Sequence, residues 1–325
     1  MTPSERSRHV LDLALDAGFD LAAIAPVESI RRAQYYIEWL EAGRHGEMEY
    51  LRRTRDVRVN PARLLDGARA VIVLADSYWQ KASPHPSSKD AGEPRGRIAR
   101  YAWGRDYHRV MRKKLDRLAE AMRATIAEPL QVRCCVDTAP IIEREAAAAA
   151  GLGWIGKNTL VVHPRLGSFF FLGAVVTTLD LEPGQPMTDH CGTCRRCLDA
   201  CPTGALTAPY QMDARRCVSY LTIEHRSDIP GDLAARMGDW VYGCDVCQEV
   251  CPRNRSIPVT REPAYEVQDP DALAPWPVLT EVAHWSEAQR QLRLAGSAMK
   301  RASLAMWHRN AALAARNKAS TAATL

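Results

Sequence analysis

The sequence predicts a mixed α+β or α/β fold: a sheet-and-helix domain, then a bacterial-type ferredoxin module for two clusters, then a basic helical tail. Three observations carry that prediction. Apolar runs of strand length alternate with amphipathic helical stretches as far as residue 181. Eight of the ten cysteines fall between Cys191 and Cys251. From residue 282 the pattern turns helical and continues so to residue 318.

Residues 5–17 place Val10, Leu11, Leu13 and Ala14 at helical spacing, with Gly18 as the capping residue beyond. DLAAIAPV, 20–27, predicts a short strand, and 29–42 a second helix through Tyr35, Ile37, Trp39 and Leu40. Arg52, Arg53, Arg55 and Arg58 follow in a stretch that reads as loop. ARAVIVLADSY, 68–78, is a continuous apolar run of the kind buried on both faces of a sheet. Residues 81–96 are polar and proline-rich and predict an exposed loop.

Between 95 and 117 there are nine Lys or Arg against two Asp, with Tyr101, Trp103 and Tyr107 interleaved, and the second half is helical. A solvated helix face and a phosphate-binding surface account for that run equally well, because cations beside stackable rings also hold RNA. LQVRCCVDT, 130–138, predicts a strand whose neighbours Cys134 and Cys135 face opposite sides, one buried and one at an interface. It ends at Asp137, and a helix follows Pro140. The residues alone favour Asp137 as a helix cap; a carboxyl facing a cofactor from a strand end is the alternative.

GLGWIGKN, Gly151 to Asn158, satisfies G-x-G-x-x-G and nearly satisfies the Walker pattern. Both patterns need a strand before the glycines. An alanine-rich helix precedes them here, so Gly151 is read as that helix's C′ residue and neither nucleotide site is credible. Residues 159–181 then supply two strands joined at Pro164–Gly167.

The first cysteine run is C-G-T-C-R-R-C-L-D-A-C-P, with Cys191, Cys194, Cys197, Cys201 and Pro202 at the bacterial ferredoxin spacing. The second, C-D-V-C-Q-E-V-C-P, holds Cys244, Cys247, Cys251 and Pro252, and Cys217 supplies the displaced first thiolate. In such a pair the fourth cysteine of each run ligates the other cluster. The expected ligand sets for two [4Fe–4S] clusters are therefore Cys191, Cys194, Cys197 and Cys251, and Cys201, Cys217, Cys244 and Cys247. Zinc and disulfides are the competing readings; zinc does not call for the x3-C-P extension twice.

A length of 325 residues suggests about two domains at ~150 residues each. Hydrophobic content of 46% and charged content of 25% describe an ordinary soluble protein with a mild net charge of +5. No apolar run reaches the ~18–20 residues of a membrane span. The N-terminus is charged and amphipathic, unlike a signal peptide, and with so many thiols it points to a reducing cytoplasm. The tail from 281 to 318 carries seven Lys or Arg and two Glu, and its paired helices suggest a small repeat-like appendage docked on the main body. Two clusters relay single electrons. An additional domain before them implies a substrate or second redox partner at the end of the relay. The D-x-H-x-x-G cobalamin signature is absent: after Asp106-Tyr107-His108 the glycine position holds Met111.

VDTAPIIER…GLGWIGKNTL, the double cysteine motif, YLTIEH and WVYGCDVCQEVCPRN together closely resemble the epoxyqueuosine reductases, cobalamin-dependent iron–sulfur enzymes related to reductive dehalogenases. The likeness covers essentially the whole chain, RYAWGRDYH and the terminal KR…RN segment included. It implies three parts: a cobalamin-binding α/β domain at 1–182, a ferredoxin-like domain with two [4Fe–4S] clusters at 183–256, and HEAT-like helices contacting tRNA at 257–325. It implies reduction of epoxyqueuosine at the tRNA wobble position to queuosine, by a cytoplasmic monomer fed by a low-potential electron donor. Cobalamin is bound base-off without a protein histidine, which agrees with the missing signature.

Under that resemblance Asp137 becomes the proton donor. Arg58, Arg100, Tyr101, Val161, Leu172, Ser219, His225, Asp245 and Val246 fall, with Asp137, at cobalamin contacts, and Arg144 falls near the active site. Lys300, Arg301 and Arg309 are the candidate tRNA contacts. The alternatives are a dehalogenase-like cobalamin enzyme acting on small organohalides, and a two-cluster electron-transfer subunit.

Overall fold

Four strands form one antiparallel sheet in the computed structural model, which describes residues 1–28, 30–81, 93–267, 273 and 275–322. Their order is Leu21–Pro26, Ala70–Ser77, Phe170–Thr177 and Val132–Cys135. The register sets Ile24 opposite Ile72, Val73 opposite Ala174, and Cys134 opposite Val175. Every residue of Ala70–Ser77 is buried. Ile72 and Leu74 face helices Pro3–Asp16 and Tyr107–Thr125 through Val10, Leu115 and Leu118. Val71, Val73 and Ala75 face Leu64 and helix Glu143–Ala149 on the other side. Covering both faces explains the unbroken apolar run, although antiparallel strands more often leave one face to water. Each fully buried Ile or Leu here contributes about 2 kcal/mol.

Helix Pro3–Asp16 begins with a capping box: Thr2 Oγ1 accepts from the Glu5 amide, and the Glu5 carboxylate accepts from the Thr2 amide. It ends before Gly18, whose φ of +95° is the left-handed conformation expected beyond a helix end. Gly151 plays the same part after helix Glu143–Ala149, at φ +73°, and a Cβ there would stand 2.1 Å from the Gln185 carbonyl oxygen. A helix does precede the glycines of GLGWIGKN. Cys135 is buried on the Leu64 side of the sheet, while half-buried Cys134 packs on the other side beside the Leu115 carbonyl.

One local expectation changes, and one goes untested. The arginine-rich stretch read as loop contains the short helices Glu49–Arg53 and Arg55–Arg58. The exposed loop expected at 81–96 falls mostly on 82–92, outside the described residues.

Strand Trp240–Tyr242 pairs in parallel with Arg97–Ile98. This short ladder, invisible in the apolar pattern, ties the cysteine-rich part to the sheet-bearing part. Helix Leu304–Ala322 packs on it, with Met306, Trp307 and Ala311 against Ile98, Trp103, Val241 and Tyr242. Asn310 Nδ2 donates to the Thr222 and Val241 carbonyls at 3.0 and 2.9 Å. The tail therefore docks on the body, as its weak stand-alone core requires. The chain beyond the cysteines also returns to the sheet. Buried Lys114 donates to Asp76 at 2.6 Å and stands 2.9 Å from Glu262, while the Tyr265 hydroxyl donates to the same Asp76 oxygen at 2.9 Å.

Candidate functional site

The cysteines define the first component. All ten are free. Cys191, Cys194, Cys197 and Cys251 line one cavity, together with Trp154, Lys157 and Arg253. Charge coupling follows the same grouping. Cys197 responds to Cys191 and Cys251, and Cys251 to Cys191 and Cys194. Cys247 responds to Cys244, Cys217 and Cys201, and Cys217 to Cys201. Two tetrads result, each completed by the last cysteine of the other run. The crossing is local: Cys201 follows the helical turn Arg196–Asp199 and Cys251 follows Val246–Glu249, and the two turns pack together.

Burial pushes up the thiols of Cys191, Cys197, Cys217, Cys244, Cys247 and Cys251, Cys197 to about 11 and Cys244 and Cys247 further. A buried thiolate needs a cation to hold its charge, and iron supplies one. Backbone amides already point at the sulfurs: Ala205 N donates to Cys201 Sγ at 3.2 Å, and Ser219 and Tyr220 aim theirs at Cys217. Such N–H···S bonds tune iron–sulfur potentials. Among the described residues no group of three or more His, Cys, Asp or Glu is arranged around a single metal ion. Four thiols around a cavity suit a cluster better than they suit zinc.

The second component is the strand end at Asp137. Its φ of +44° is rare for a non-glycine residue and marks stored strain. The Asp137 amide donates to Glu143 Oε1 at 2.8 Å. Helix Glu143–Ala149 starts at Ile142 with no side-chain cap, so Asp137 is not the cap that local chemistry favours. Its side chain is 55% exposed, and Oδ2 lies 3.0 Å from His108 Nε2. His108 Nδ1 lies 2.7 Å from Asp106, the N-cap of helix Tyr107–Thr125. Burial alone would lower the His108 pKa, but hydrogen bonds to Asp106 and Asp137 outweigh it and carry it to about 9. Burial, reinforced by the Asp137 charge, pushes Glu143 to about 8. Tyr50, Tyr101, Tyr107 and Arg301 also feel the Asp137 charge and so lie near it. Asp106, His108 and Glu143 were missed in the sequence. Only the D-Y-H triplet gave a signal, and it was weighed solely as a cobalamin signature.

Other expected site residues divide between the two parts. Arg58 is buried, donating to the Ile141 carbonyl at 3.2 Å and to Thr54 Oγ1 at 2.9 Å. Val161 and Leu172 pack with Cys135 on the helix Glu143–Ala149 side of the sheet. Arg144 donates to the Thr159 carbonyl at 2.8 Å. In the other part, Ser219 lies in helix Val218–Ile223, Val246 packs against that helix's core, and His225 stands 3.0 Å from Glu47. Arg100 joins the halves. Its Nη1 bonds Asp245 at 3.2 Å and Glu249 at 2.7 Å, and its guanidinium lies over Trp79 and Trp103. Burial raises the Asp245 pKa to about 6 against the opposing pull of Arg100. Tyr101 packs beside Tyr242, ring centroids 6.1 Å apart. Arg100 Nε is buried without a hydrogen-bond partner.

Much of the basic charge is spent internally. Arg97 and Arg100 pair with Glu249, Lys114 with Asp76, and Arg112 with Asp116. Arg309 donates to the carbonyls of Leu221, His225 and Ser227, which holds the tail to the body. Arg301 pairs with Glu224 at 2.8 Å, yet remains 49% exposed, beside exposed Lys300. Arg105, Arg109, Lys113 and Arg117 are also exposed.

Residues 58–138 match the family described as epoxyqueuosine reductase QueG (DUF1730), and 190–254 match the 4Fe-4S double cluster binding domain. The epoxyqueuosine reductase of Pseudomonas aeruginosa is 40% identical over 98% of this chain and 87% of its own length. That of Escherichia coli is 38% identical over 97% and 82%. Among solved structures, an epoxyqueuosine reductase with a tRNA-Tyr epoxyqueuosine-modified stem loop has a TM-score of 0.86 at 29% identity, covering 96% of this chain and 81% of that one. The Bacillus subtilis enzyme, described with a catalytic loop that carries an aspartate swung out of the active site, has a TM-score of 0.85 at 29% identity, covering 96% and 82%.

Proposed function

Because the chain belongs to the epoxyqueuosine reductase family, we propose that it reduces epoxyqueuosine at the tRNA wobble position to queuosine, with Asp137 as proton donor. The observation that carries the assignment is the half-exposed Asp137 carboxyl, held at a strained strand end by Glu143 and His108. Converting an epoxide to an alkene takes two electrons and two protons and releases water. Expelling a hydroxyl is far easier than expelling an alkoxide, so a positioned acid is required; general-acid help is worth ~10²–10⁴-fold.

Asp137 passes a proton to the epoxide oxygen, taking it from the charged His108 beside it. His108, fixed by Asp106, is a positioning residue that orients the carboxyl and lies within reach to return a proton to it. Glu143 holds the loop through the Asp137 amide. Such a latch suits a loop that the Bacillus subtilis relative is described as swinging outward.

The cofactors are two [4Fe–4S] clusters, on Cys191, Cys194, Cys197 and Cys251 and on Cys201, Cys217, Cys244 and Cys247, and base-off cobalamin. When bound, the clusters supply single electrons and cobalamin supplies a strongly reducing cobalt. Arg58, Arg100, Tyr101, Asp137, Val161, Leu172, Ser219, His225, Asp245 and Val246 would hold the corrin. The unpartnered Arg100 Nε suits its amide-rich rim. Lys300 and Arg301 meet the tRNA, with Arg144 near the modified base and Arg309 setting the tail from behind. The parts are 1–182, 183–256 and a HEAT-like 257–325, working as a monomer. No helix among the described residues is long and apolar enough to cross a membrane. Deleting the gene should leave epoxyqueuosine in place of queuosine in cellular tRNA, and restoring it should reverse that. Normal queuosine in the deletion strain would reject the function for this chain in those cells.

A further inference from the structure

The segment Trp154–Asn158, set aside as a nucleotide site, forms the collar of the first thiol tetrad. Lys157 Nζ donates to the Gly192 and Cys194 carbonyls at 2.5 and 3.0 Å. Arg253 donates to the His190 carbonyl at 3.3 Å and lies over the Trp154 ring at 5.6 Å. These contacts brace the ligand loop from outside.

The collar opens to solvent. Gly192, Thr193, Arg195, Arg196, Arg253 and Arg255 are all exposed. The second tetrad is walled in by Val218, Tyr220 and Trp240, which pack against Cys217 and Cys244. The tetrads therefore have an outer and an inner member.

The outer one is ringed by cations. Lys157, Arg196 and Arg253 line its cavity, Arg195 and Arg255 stand beside them in the chain, and the carboxylates of segments 189–201 and 251–255 are Asp189 and Asp199. Asp199 pairs with Arg195 at 3.5 Å, and Asp189 is held by the Tyr210 hydroxyl and the Cys191 amide. Among the described residues Arg196 and Arg255 have no ion-pair partner. A braced cationic rim around an exposed redox centre is complementary to an acidic surface, and its field steers and orients such a partner. The residues around Asp137 and those of this collar have no member in common.

We propose that this collar is the docking surface for a small acidic protein that carries one electron, of the flavodoxin or ferredoxin chemical type. The inference rests on the two-cluster reading. At each encounter the carrier loses one electron and the outer cluster gains one. Two encounters supply the two electrons that the epoxide consumes, and no proton or group is exchanged at the collar.

The test uses the reconstituted full chain and follows loss of its visible iron–sulfur absorption by stopped flow. With a reduced acidic flavodoxin, Arg196→Glu combined with Arg255→Glu should slow cluster reduction about 10-fold or more at low salt and weaken its salt dependence. Arg196→Lys with Arg255→Lys should keep the rate, and dithionite should reduce all three proteins alike. An unchanged flavodoxin rate in the double Glu variant overturns the proposal. So does weakened tRNA binding with intact reduction, which would give the collar to RNA. A wild-type chain with no dithionite-reducible clusters would overturn the two-cluster reading, and the docking surface with it.

Discussion

Replacing His108 by Gln tests the electrostatic seat of the proton donor. His108 is charged in the folded state because Asp106 and Asp137 flank it at 2.7 and 3.0 Å. Its pKa rises from 6.5 to about 9, burial opposing the two hydrogen bonds and losing. At ~1.4 kcal/mol per pKa unit that rise corresponds to about 3 kcal/mol. The imidazole is 33% exposed, so solvent screening leaves about 1–2 kcal/mol. A raised pKa stabilises the fold fully below 6.5, and the stabilisation fades as pH rises through about 9. In urea unfolding of the cluster-free chain, wild type should exceed His108→Gln by about 1–2 kcal/mol near pH 6, with most of that gap gone by about pH 10. Hydrogen exchange at 136–142 should quicken in the variant. A gap that does not change with pH would refute the charged bridge, even if the variant were less stable.

Asp137→Asn should assemble clusters and bind tRNA as wild type does, and lose ~10²–10⁴ in turnover. Glu143→Gln keeps an acceptor for the Asp137 amide and should retain most activity, whereas Glu143→Leu should free the loop and lose it; equal rates in the two would remove the latch. Arg301→Ala with Lys300→Ala should weaken tRNA binding uniformly across sequences and lower the salt slope by about 1–2, read from affinities at several salt concentrations. Asp76→Asn should cost about 2 kcal/mol in urea, because it removes one of the two carboxylates facing buried Lys114 and leaves Glu262 alone to balance its charge.

The double cysteine motif and the strands were legible because spacing and burial leave local marks. Cys217 was found by counting thiolates, and 70–77 by an apolar run that only a sheet covered on both faces allows. What stayed hidden depends on partners distant in sequence. Asp137 looks like a helix cap until Glu143 is seen taking its amide and His108 its carboxyl. Arg309 looks like an RNA contact, yet three carbonyls from 221–227 occupy it. Trp240–Tyr242 is too short to announce a strand and gains its role from Arg97–Ile98. The glycines of GLGWIGKN follow a helix as expected, but nothing local showed that Lys157 would brace a cysteine loop.

The most direct measurement is nucleoside mass analysis after the reconstituted enzyme, with cobalamin and a reductant, meets an anticodon stem-loop carrying epoxyqueuosine. Wild type should convert it to queuosine, and Asp137→Asn, with equal cluster content and equal stem-loop affinity, should leave nearly all of it unreduced. Conversion by Asp137→Asn at the wild-type rate would contradict the assignment of the proton donor. No conversion by a fully loaded wild type would contradict the function itself.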